Sequence, residues 1–134
     1  MQVQLTNGFM PTRGSEGSAG LDLYTPKAYH LKEGLHLIPL GIKLSIPKGH
    51  YGQILCRSSL AIKGCSVEGG VIDQDYRGEV KLLLRTRKDI HFKKGDRVAQ
   101  MVILPFWQGI PFQQTKLDQT RRAEGGFGST NKTI

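Results

Sequence analysis

Apolar and polar residues alternate along much of the chain with a period of two, which is typical of β-strands that face a core on one side. The cleanest alternation runs through residues 40–46, and shorter examples lie at residues 3–5 and 21–23. Residues 98–104 are apolar on both faces, as expected for a strand that is covered on both sides. The pattern therefore predicts an all-β protein built from many short strands.

Turn-forming clusters separate these apolar runs at short intervals. Glycine or proline stands in each cluster, at residues 32–34, 47–49, 93–96 and 108–111. Many short strands with such turns between them favour a β-sandwich or a β-barrel.

One short helix is predicted in the string RSSLAIKG, at residues 57–64. Ser58 or Ser59 can cap its first turn, and Gly64 can end it. No other segment has a convincing helical pattern.

The last part of the chain differs in composition from the rest. From Thr120 onward it contains few residues that could form a core, apart from Phe127. We therefore predict a β-barrel domain at residues 1–119 and a flexible, glycine-rich tail at residues 120–134.

Length, charge and cysteine content narrow the function classes. A chain of 134 residues forms one domain, and its net charge of +8 with a pI near 9.7 indicates an anionic partner such as a polyphosphate, a nucleic acid or an acidic surface. Cys56 and Cys65 lack CxxC spacing, which favours a reducing compartment. No apolar run approaches the ~20 residues that span a bilayer, and no signal-peptide pattern opens the chain. We expect an intracellular protein, in the cytoplasm or nucleus, without a membrane segment.

The string GGVIDQDYRGEV, at residues 69–80, is the most unusual in the chain. It sets two acids, Asp73 and Asp75, beside the apolar pair Val71 and Ile72. An unpaired carboxylate is costly to bury, so the string raises the question of what satisfies these acids.

Two other polar features lie on a predicted strand and at the start of the predicted helix. Each has an ordinary structural explanation as well as a functional one. Asp22 in AGLDL can be a solvent-facing strand residue, and this is the simpler interpretation when that acid is considered by itself. Arg57 with Ser58 and Ser59 can cradle a phosphate at the start of the helix, or can be a plain serine cap beside a surface arginine.

Two further strings carry polar groups that suit a nucleotide. Gln100 in GDRVAQMVI is an amide in a buried strand, where backbone groups or a ligand could satisfy it. In the tail, Phe127 can stack on a base and Arg122 can grip phosphate, although a basic tail can also be without a role. Together the five strings agree on a ligand with a base, a sugar and several phosphates.

In this order and spacing, the strings AGLDL, RSSLAIKG, GGVIDQDYRGE, GDRVAQMVI and RAEGGFGST resemble the five signature motifs of the trimeric deoxyuridine triphosphate nucleotidohydrolases, the dUTPases. The resemblance spans Ala19 to Thr130, and GVIDxDYRGE and GGFGST are its most specific parts. It implies a distorted jelly-roll β-barrel with one short helix, and hydrolysis of dUTP to dUMP and pyrophosphate in active sites shared by the three chains of a homotrimer.

The resemblance also assigns roles to single residues. Asp73 would be the general base that activates water for attack on the α-phosphorus, so water and substrate would satisfy this acid. The ring of Tyr76 would pack beneath the deoxyribose and exclude a 2′-hydroxyl. The residues that the resemblance implies in substrate binding are Arg57, Ser58, Ser59, Val67, Gly70, Val71, Ile72, Tyr76, Lys81, Gln100, Arg122, Phe127, Gly128, Ser129 and Thr130.

Magnesium is the implied cofactor, carried on the triphosphate oxygens and reached by the protein mostly through water. Asp22 is the candidate for a water-mediated contact with it. The chain departs from the family pattern at Ala123 and Asn131, where glycine is usual, and at Val67, where some relatives carry an amide. Loss of glycine at Ala123 puts the closure of the tail in doubt, because alanine does not readily adopt positive φ.

Two other functions stay open on the sequence alone. A dCTP deaminase would share the fold and the nucleotide, but it would need an acid placed to act on the base. A trimer that holds dUTP as a signal would suit the charge of +8, which allows contact with nucleic acid without requiring it. A viral source is compatible with the unusually basic composition.

Overall fold

The computed structural model describes residues 1–128. Within this range the chain forms eleven strands and one helix. The strands are β1 (Gln2–Leu5), β2 (Thr12–Arg13), β3 (Leu21–Tyr24), β4 (Tyr29–Leu31), β5 (Gly34–Ser45), β6 (His50–Leu55), β7 (Ser66–Val67), β8 (Val71–Ile72), β9 (Glu79–Thr86), β10 (Ile90–Phe92) and β11 (Arg97–Pro105), and the helix is α1 (Ser58–Ala61).

The strands form three antiparallel sheets. The first has the order β1-β5-β9-β7, the second has the order β2-β3-β11-β6-β8, and β10 pairs with β4 in a small third sheet. Strands that are neighbours in a sheet are seldom neighbours in sequence, so the chain crosses repeatedly between the sheets. The predicted all-β architecture with a single short helix is confirmed for the described part of the chain.

The core contains the side chains that the alternation pointed inward. Leu40, Ile42, Leu44 and Ile46 are each at most 3% exposed, and burial of one such aliphatic side chain contributes about 1.5–3 kcal/mol. The same cluster takes in side chains from both larger sheets, so a single core holds them together. Its largest fully buried members are Leu23, Ile38, Leu40, Ile42, Val80, Leu82, Leu84, Val98 and Met101.

The short helix begins differently from the prediction. It covers Ser58–Ala61 with Arg57 at the N-cap, and no side chain there caps the first turn. Neither serine is therefore the cap, and both are exposed. Gly64 ends the turn as predicted, with φ at +92° and its amide bonded to the carbonyl of Ala61.

Residues 106–128 contain neither strand nor helix. Several of their large apolar side chains are strongly exposed, namely Trp107, Ile110, Phe112 and Leu117. Among the described residues, no helix has the length and apolarity to cross a membrane.

Candidate active site

Asp73 and Tyr76 lie on the short turn that follows β8. The amide of Tyr76 donates to the carbonyl of Asp73 over 3.1 Å, which fixes the turn between them. The side chains of Asp73 and Asp75 are both exposed, and Val71 before them is exposed too. The fold therefore leaves the carboxylate of Asp73 open to water, without the cost of burial that the sequence suggested.

The Tyr76 ring is held where the turn leads into β9. Its hydroxyl donates to the carbonyl of Glu79 over 2.8 Å. A Cβ on Gly78 would lie 2.5 Å from the same hydroxyl, so only glycine allows the ring this position. Arg77 donates to the carbonyls of Gln74 and Tyr76 rather than to Asp75.

A cavity of about 210 Å³ lies beside this turn. Beside the cavity, the backbone at Gly70 lies close to the Ile54 carbonyl. A Cβ on Gly70 would lie 2.7 Å from that carbonyl, and the φ of Gly70 is +97°, so glycine suits this position. Val67 on β7 is half-buried and does not line the cavity. The residues predicted for the base, sugar and water that do line it are Gly70, Val71, Ile72, Asp73, Tyr76 and Lys81.

The predicted phosphate ligands meet elsewhere, at the start of α1. The Arg57 side chain donates to the carbonyl of Arg97 over 3.3 Å. The carboxylate of Asp22 lies 4.0 Å from Nε of Arg57 and 3.7 Å from Nη1 of Arg97. Asp22 therefore draws two guanidinium groups together, and it is the only described acid that pairs with either of them.

Gln100 lies next to this cluster on β11. Its Nε2 donates to the carbonyl of Cys56, one residue before Arg57, over 3.2 Å. A Cβ on Gly20 would lie 2.6 Å from Oε1 of Gln100, so a larger residue there would displace this amide. The amide thus has a backbone partner, and it ties β11 to the segment that carries Arg57.

A cavity of about 590 Å³ opens beside these arginines. Arg57 and Ser59 line it, whereas Ser58 and Gln100 do not. Four Lys or Arg side chains and two acids, Asp89 and Asp96, line it, so the net formal charge of its lining is positive. The cations that line it are Arg57, Lys63, Lys88 and Arg97.

The two cavities share no lining residue. A single chain therefore holds the predicted water and sugar groups in one cavity and the predicted phosphate groups in another. The described part of the tail, up to Gly128, joins neither of them: Arg122 donates to the carbonyl of Gly125, and the Phe127 side chain is fully exposed. Gly128 is also exposed, and Ser129, Thr130 and Asn131 lie outside the described residues.

The two thiols lie on either side of α1. Cys56 Sγ is 3.6 Å from the carbonyl of Cys65, and both cysteines are free. Burial raises the pKa of both thiols above the ordinary value. The nearby Cys65 raises the pKa of Cys56 further, whereas the positive charge of Arg57 lowers it.

Glu79 and Arg97 are site residues to which the motifs assign no role. Glu79 accepts the Tyr76 hydroxyl through its backbone and lines the smaller cavity. Arg97 faces Asp22 across a strand pair. Both residues lie within the motif strings GGVIDQDYRGE and GDRVAQMVI, but only the tertiary structure shows which residues they contact.

The chain matches the family model described as dUTPase over residues 6–131. It is 46% identical over 132 residues to the deoxyuridine 5'-triphosphate nucleotidohydrolase of Debaryomyces hansenii, which covers 94% of this chain and 82% of that protein. The vaccinia virus protein of the same name is 42% identical over 123 residues, covering 90% of this chain and 84% of that protein.

Among solved structures, a dUTPase of Staphylococcus bacteriophage 80alpha with dUpNHpp superposes with a TM-score of 0.87 at 26% identity, covering 96% of each chain. The jelly-roll-like fold is thus confirmed. From the family match and the identity to these relatives, this chain belongs to the dUTPase family.

Proposed function

We propose that this protein hydrolyses dUTP to dUMP and pyrophosphate, which removes dUTP and supplies dUMP for thymidylate synthesis. The observation that carries the proposal is the exposed carboxylate of Asp73 on the turn that also fixes Tyr76, beside a cavity with backbone and apolar walls. An acid in this position is open to water and substrate, as a general base must be.

In the proposed step, Asp73 takes a proton from a water molecule. The water oxygen bonds the α-phosphorus while the bond from that phosphorus to the α,β-bridging oxygen breaks, so pyrophosphate leaves in line. The products are dUMP, pyrophosphate and one proton. Positioned proton transfer of this kind contributes about 10²–10⁴-fold in rate.

The smaller cavity would select the base and the sugar. Backbone groups near Gly70, Val71 and Ile72, with those near Lys81, would match the O4 acceptor and N3 donor of uracil. Val67 would act only indirectly, through the backbone of the segment that leads to Gly70. The Tyr76 ring would fill the space that a ribose 2′-hydroxyl needs. A steric filter suits this task, because an apolar pocket alone discriminates weakly against an added hydroxyl.

The basic cluster would bind the phosphates. Arg57, Ser58 and Ser59 would hold the α- and β-phosphates with Gln100, because a guanidinium and hydroxyl groups donate well to phosphate oxygens. In the tail, Arg122 would bind the γ-phosphate and Phe127 would stack on uracil. Gly128, Ser129 and Thr130 would complete the cover over the substrate.

We further propose a homotrimer with shared active sites. Its support is the separation of Asp73 from Arg57 into cavities with no common lining residue, which a neighbouring chain would bring together. The exposed apolar side chains after β11 supply surface for contacts between chains. The dUTPase family to which the chain belongs is trimeric.

The family also uses Mg²⁺. Among residues 1–128, no group of three His, Cys, Asp or Glu side chains could hold a metal ion. This fits a magnesium ion that is bound by the triphosphate rather than by protein side chains, since Mg²⁺ keeps several of its waters. Asp22 would reach that ion through water, and the ion would offset charge on the phosphates.

The domain of residues 1–119 would thus form the barrel, and residues 120–134 the tail that closes over the substrate. An intracellular location, in the cytoplasm or nucleus, is supported by the two free cysteines. Contact with nucleic acid is not needed for the reaction, although the net charge of +8 would allow it.

The test is a substrate panel. The protein is incubated with Mg²⁺ and dUTP, dCTP, dTTP or UTP, and pyrophosphate and ammonia are measured. We expect rapid pyrophosphate release from dUTP alone. Ammonia from dCTP would establish a deaminase instead, and tight binding of dUTP without turnover would establish a dUTP-binding module.

A further inference from the structure

We propose that Glu79 is a positioning residue for the selection of deoxyribose over ribose, because it holds the Tyr76 ring in place through its backbone and anchors itself through its carboxylate. This inference rests on the proposed dUTP hydrolysis. It assigns a purpose to an acid that lines the smaller cavity but takes no part in the proposed chemistry.

The first link is the bond from the Tyr76 hydroxyl to the Glu79 carbonyl, at 2.8 Å. The Tyr76 side chain is 43% exposed, so packing alone does not fix its ring. The position of the ring therefore depends on where β9 begins, since Glu79 is the first residue of that strand.

The second link is the bond from the Gly41 amide to Oε2 of Glu79, at 2.9 Å. The β5–β9 pairing passes from Pro39 opposite Lys81 to Lys43 opposite Glu79. The three β5 residues between Pro39 and Lys43 thus lie opposite the single β9 residue Val80, which interrupts the regular strand pairing. Within this interruption, the amide of Gly41 donates to the Glu79 carboxylate. A hydrogen bond to an ionised acceptor is stronger than one between neutral groups.

The third link anchors the interruption itself. The Gly41 carbonyl accepts the amides of Thr6 and Gly8, at 2.9 and 3.1 Å. Gly41 has φ at +69°, and a Cβ there would clash with Asn7 and Gly8. Glu79 is therefore tied to a crowded backbone segment that has little freedom to shift.

The consequence is a continuous path from the segment after β1, through Gly41 and Glu79, to the floor of the sugar site. Loss of the carboxylate would leave the Gly41 amide without its acceptor, which is unfavourable for a backbone donor that is shielded from water. The start of β9 would relax and carry its carbonyl away from Tyr76. A steric filter holds only while its wall stays within about 0.5 Å of the working position.

The experiment measures kcat/KM for dUTP and for UTP in four variants of the full chain. In Glu79→Ala and in Tyr76→Phe, we expect the preference for dUTP over UTP to fall at least tenfold. Glu79→Gln keeps an oxygen acceptor for Gly41, so it should restore most of the preference. Glu33→Ala, in the exposed turn before β5, is the matched control and should retain it.

The double variant Tyr76→Phe with Glu79→Ala separates a shared path from two independent effects. We expect it to lose no more selectivity than either single variant, because both remove the same restraint. An unchanged preference in folded Glu79→Ala, or in Tyr76→Phe if Glu79→Ala does not fold, would overturn the inference. Absence of dUTP turnover in the unaltered protein would instead overturn the proposed function.

Discussion

The amide of Tyr76 donates to the carbonyl of Asp73 over 3.1 Å, so the proposed general base and the proposed sugar filter are parts of one turn. A rotation of this turn would move both groups together. The geometry thus couples the choice of the sugar to the placement of the acid that activates water. Precise placement of this kind is a main source of rate in reactions at phosphorus.

Replacing Asp73 with asparagine keeps the shape of the side chain and removes its basicity. We expect turnover of dUTP to fall at least about 10²-fold with binding retained, because proton transfer to a positioned base contributes this much. The measurement is pyrophosphate release together with dUTP binding by calorimetry. Asp75→Asn, on the same turn and equally exposed, is the control. Equal losses in the two variants would remove Asp73 from the mechanism.

Asp22→Asn should weaken substrate binding. The carboxylate forms partly exposed ion pairs with Arg57 and Arg97, at 4.0 and 3.7 Å. Such pairs contribute at most about 1 kcal/mol each, so we expect KM for dUTP to rise by up to about fivefold. If Asp22 also reaches magnesium through water, the Mg²⁺ concentration for half-maximal rate will rise as well. A KM that stays at the unaltered value would show that the arginines hold their places without Asp22.

Gly70→Ala and Gly69→Ala form a matched pair. Both glycines have positive φ, but a Cβ at Gly70 would meet the Ile54 carbonyl at 2.7 Å, whereas at Gly69 it meets nothing within 4 Å. We expect Gly69→Ala to lose only about 1–2 kcal/mol of stability from backbone strain. Gly70→Ala should lose more, and should also bind dUTP less tightly. Urea unfolding and dUTP titration measure the two effects, and equal outcomes would contradict the crowding argument.

The tail carries its own strain. Ala123 has φ at +50°, in the left-handed region that costs a non-glycine residue about 1–2 kcal/mol. Ala123→Gly should therefore ease the turn at residues 120–125 and raise kcat/KM for dUTP by roughly fivefold, which corresponds to about 1 kcal/mol.

Truncation after Gln119 is the companion variant for the tail. If the tail covers the substrate, this variant should lose most of kcat while sizing chromatography shows the same oligomeric state as for the full chain. Turnover that survives truncation would show that the tail has no part in catalysis.

Both cysteines should be slow to alkylate in the native protein. Burial raises the pKa of Cys56 and Cys65, so each has less reactive thiolate at neutral pH than an unfolded chain would have. Their contribution to stability is complete below the ordinary thiol pKa and is lost as the pH rises through the raised native values. Iodoacetamide labelling with and without urea, followed by mass spectrometry, measures the alkylation rate of each thiol in the native and the unfolded chain. Equal rates in the two conditions would contradict it.

Much of the fold could be predicted from the sequence, because period-two alternation is a local consequence of burying one face of a strand. This alternation alone predicts that Leu40, Ile42 and Leu44 face the core, and all three are buried. The helix cap was predicted wrongly. Ser58 and Ser59 are good cap residues by type, but the chain enters the helix one residue earlier, with Arg57 at the N-cap.

The sequence by itself determined the all-β class, the turn that ends at Gly64 and the motifs that assign the chain to its family, since each depends on residues close together along the chain. Only the tertiary structure decided that Asp22 lies between Arg57 and Arg97, and that the Glu79 carboxylate bonds the Gly41 amide. These contacts join segments that are 35 to 75 positions apart, so they depend on strand register and on an interruption in the ladder. No local pattern fixes such a register, because it results from the packing of both sheets on one core.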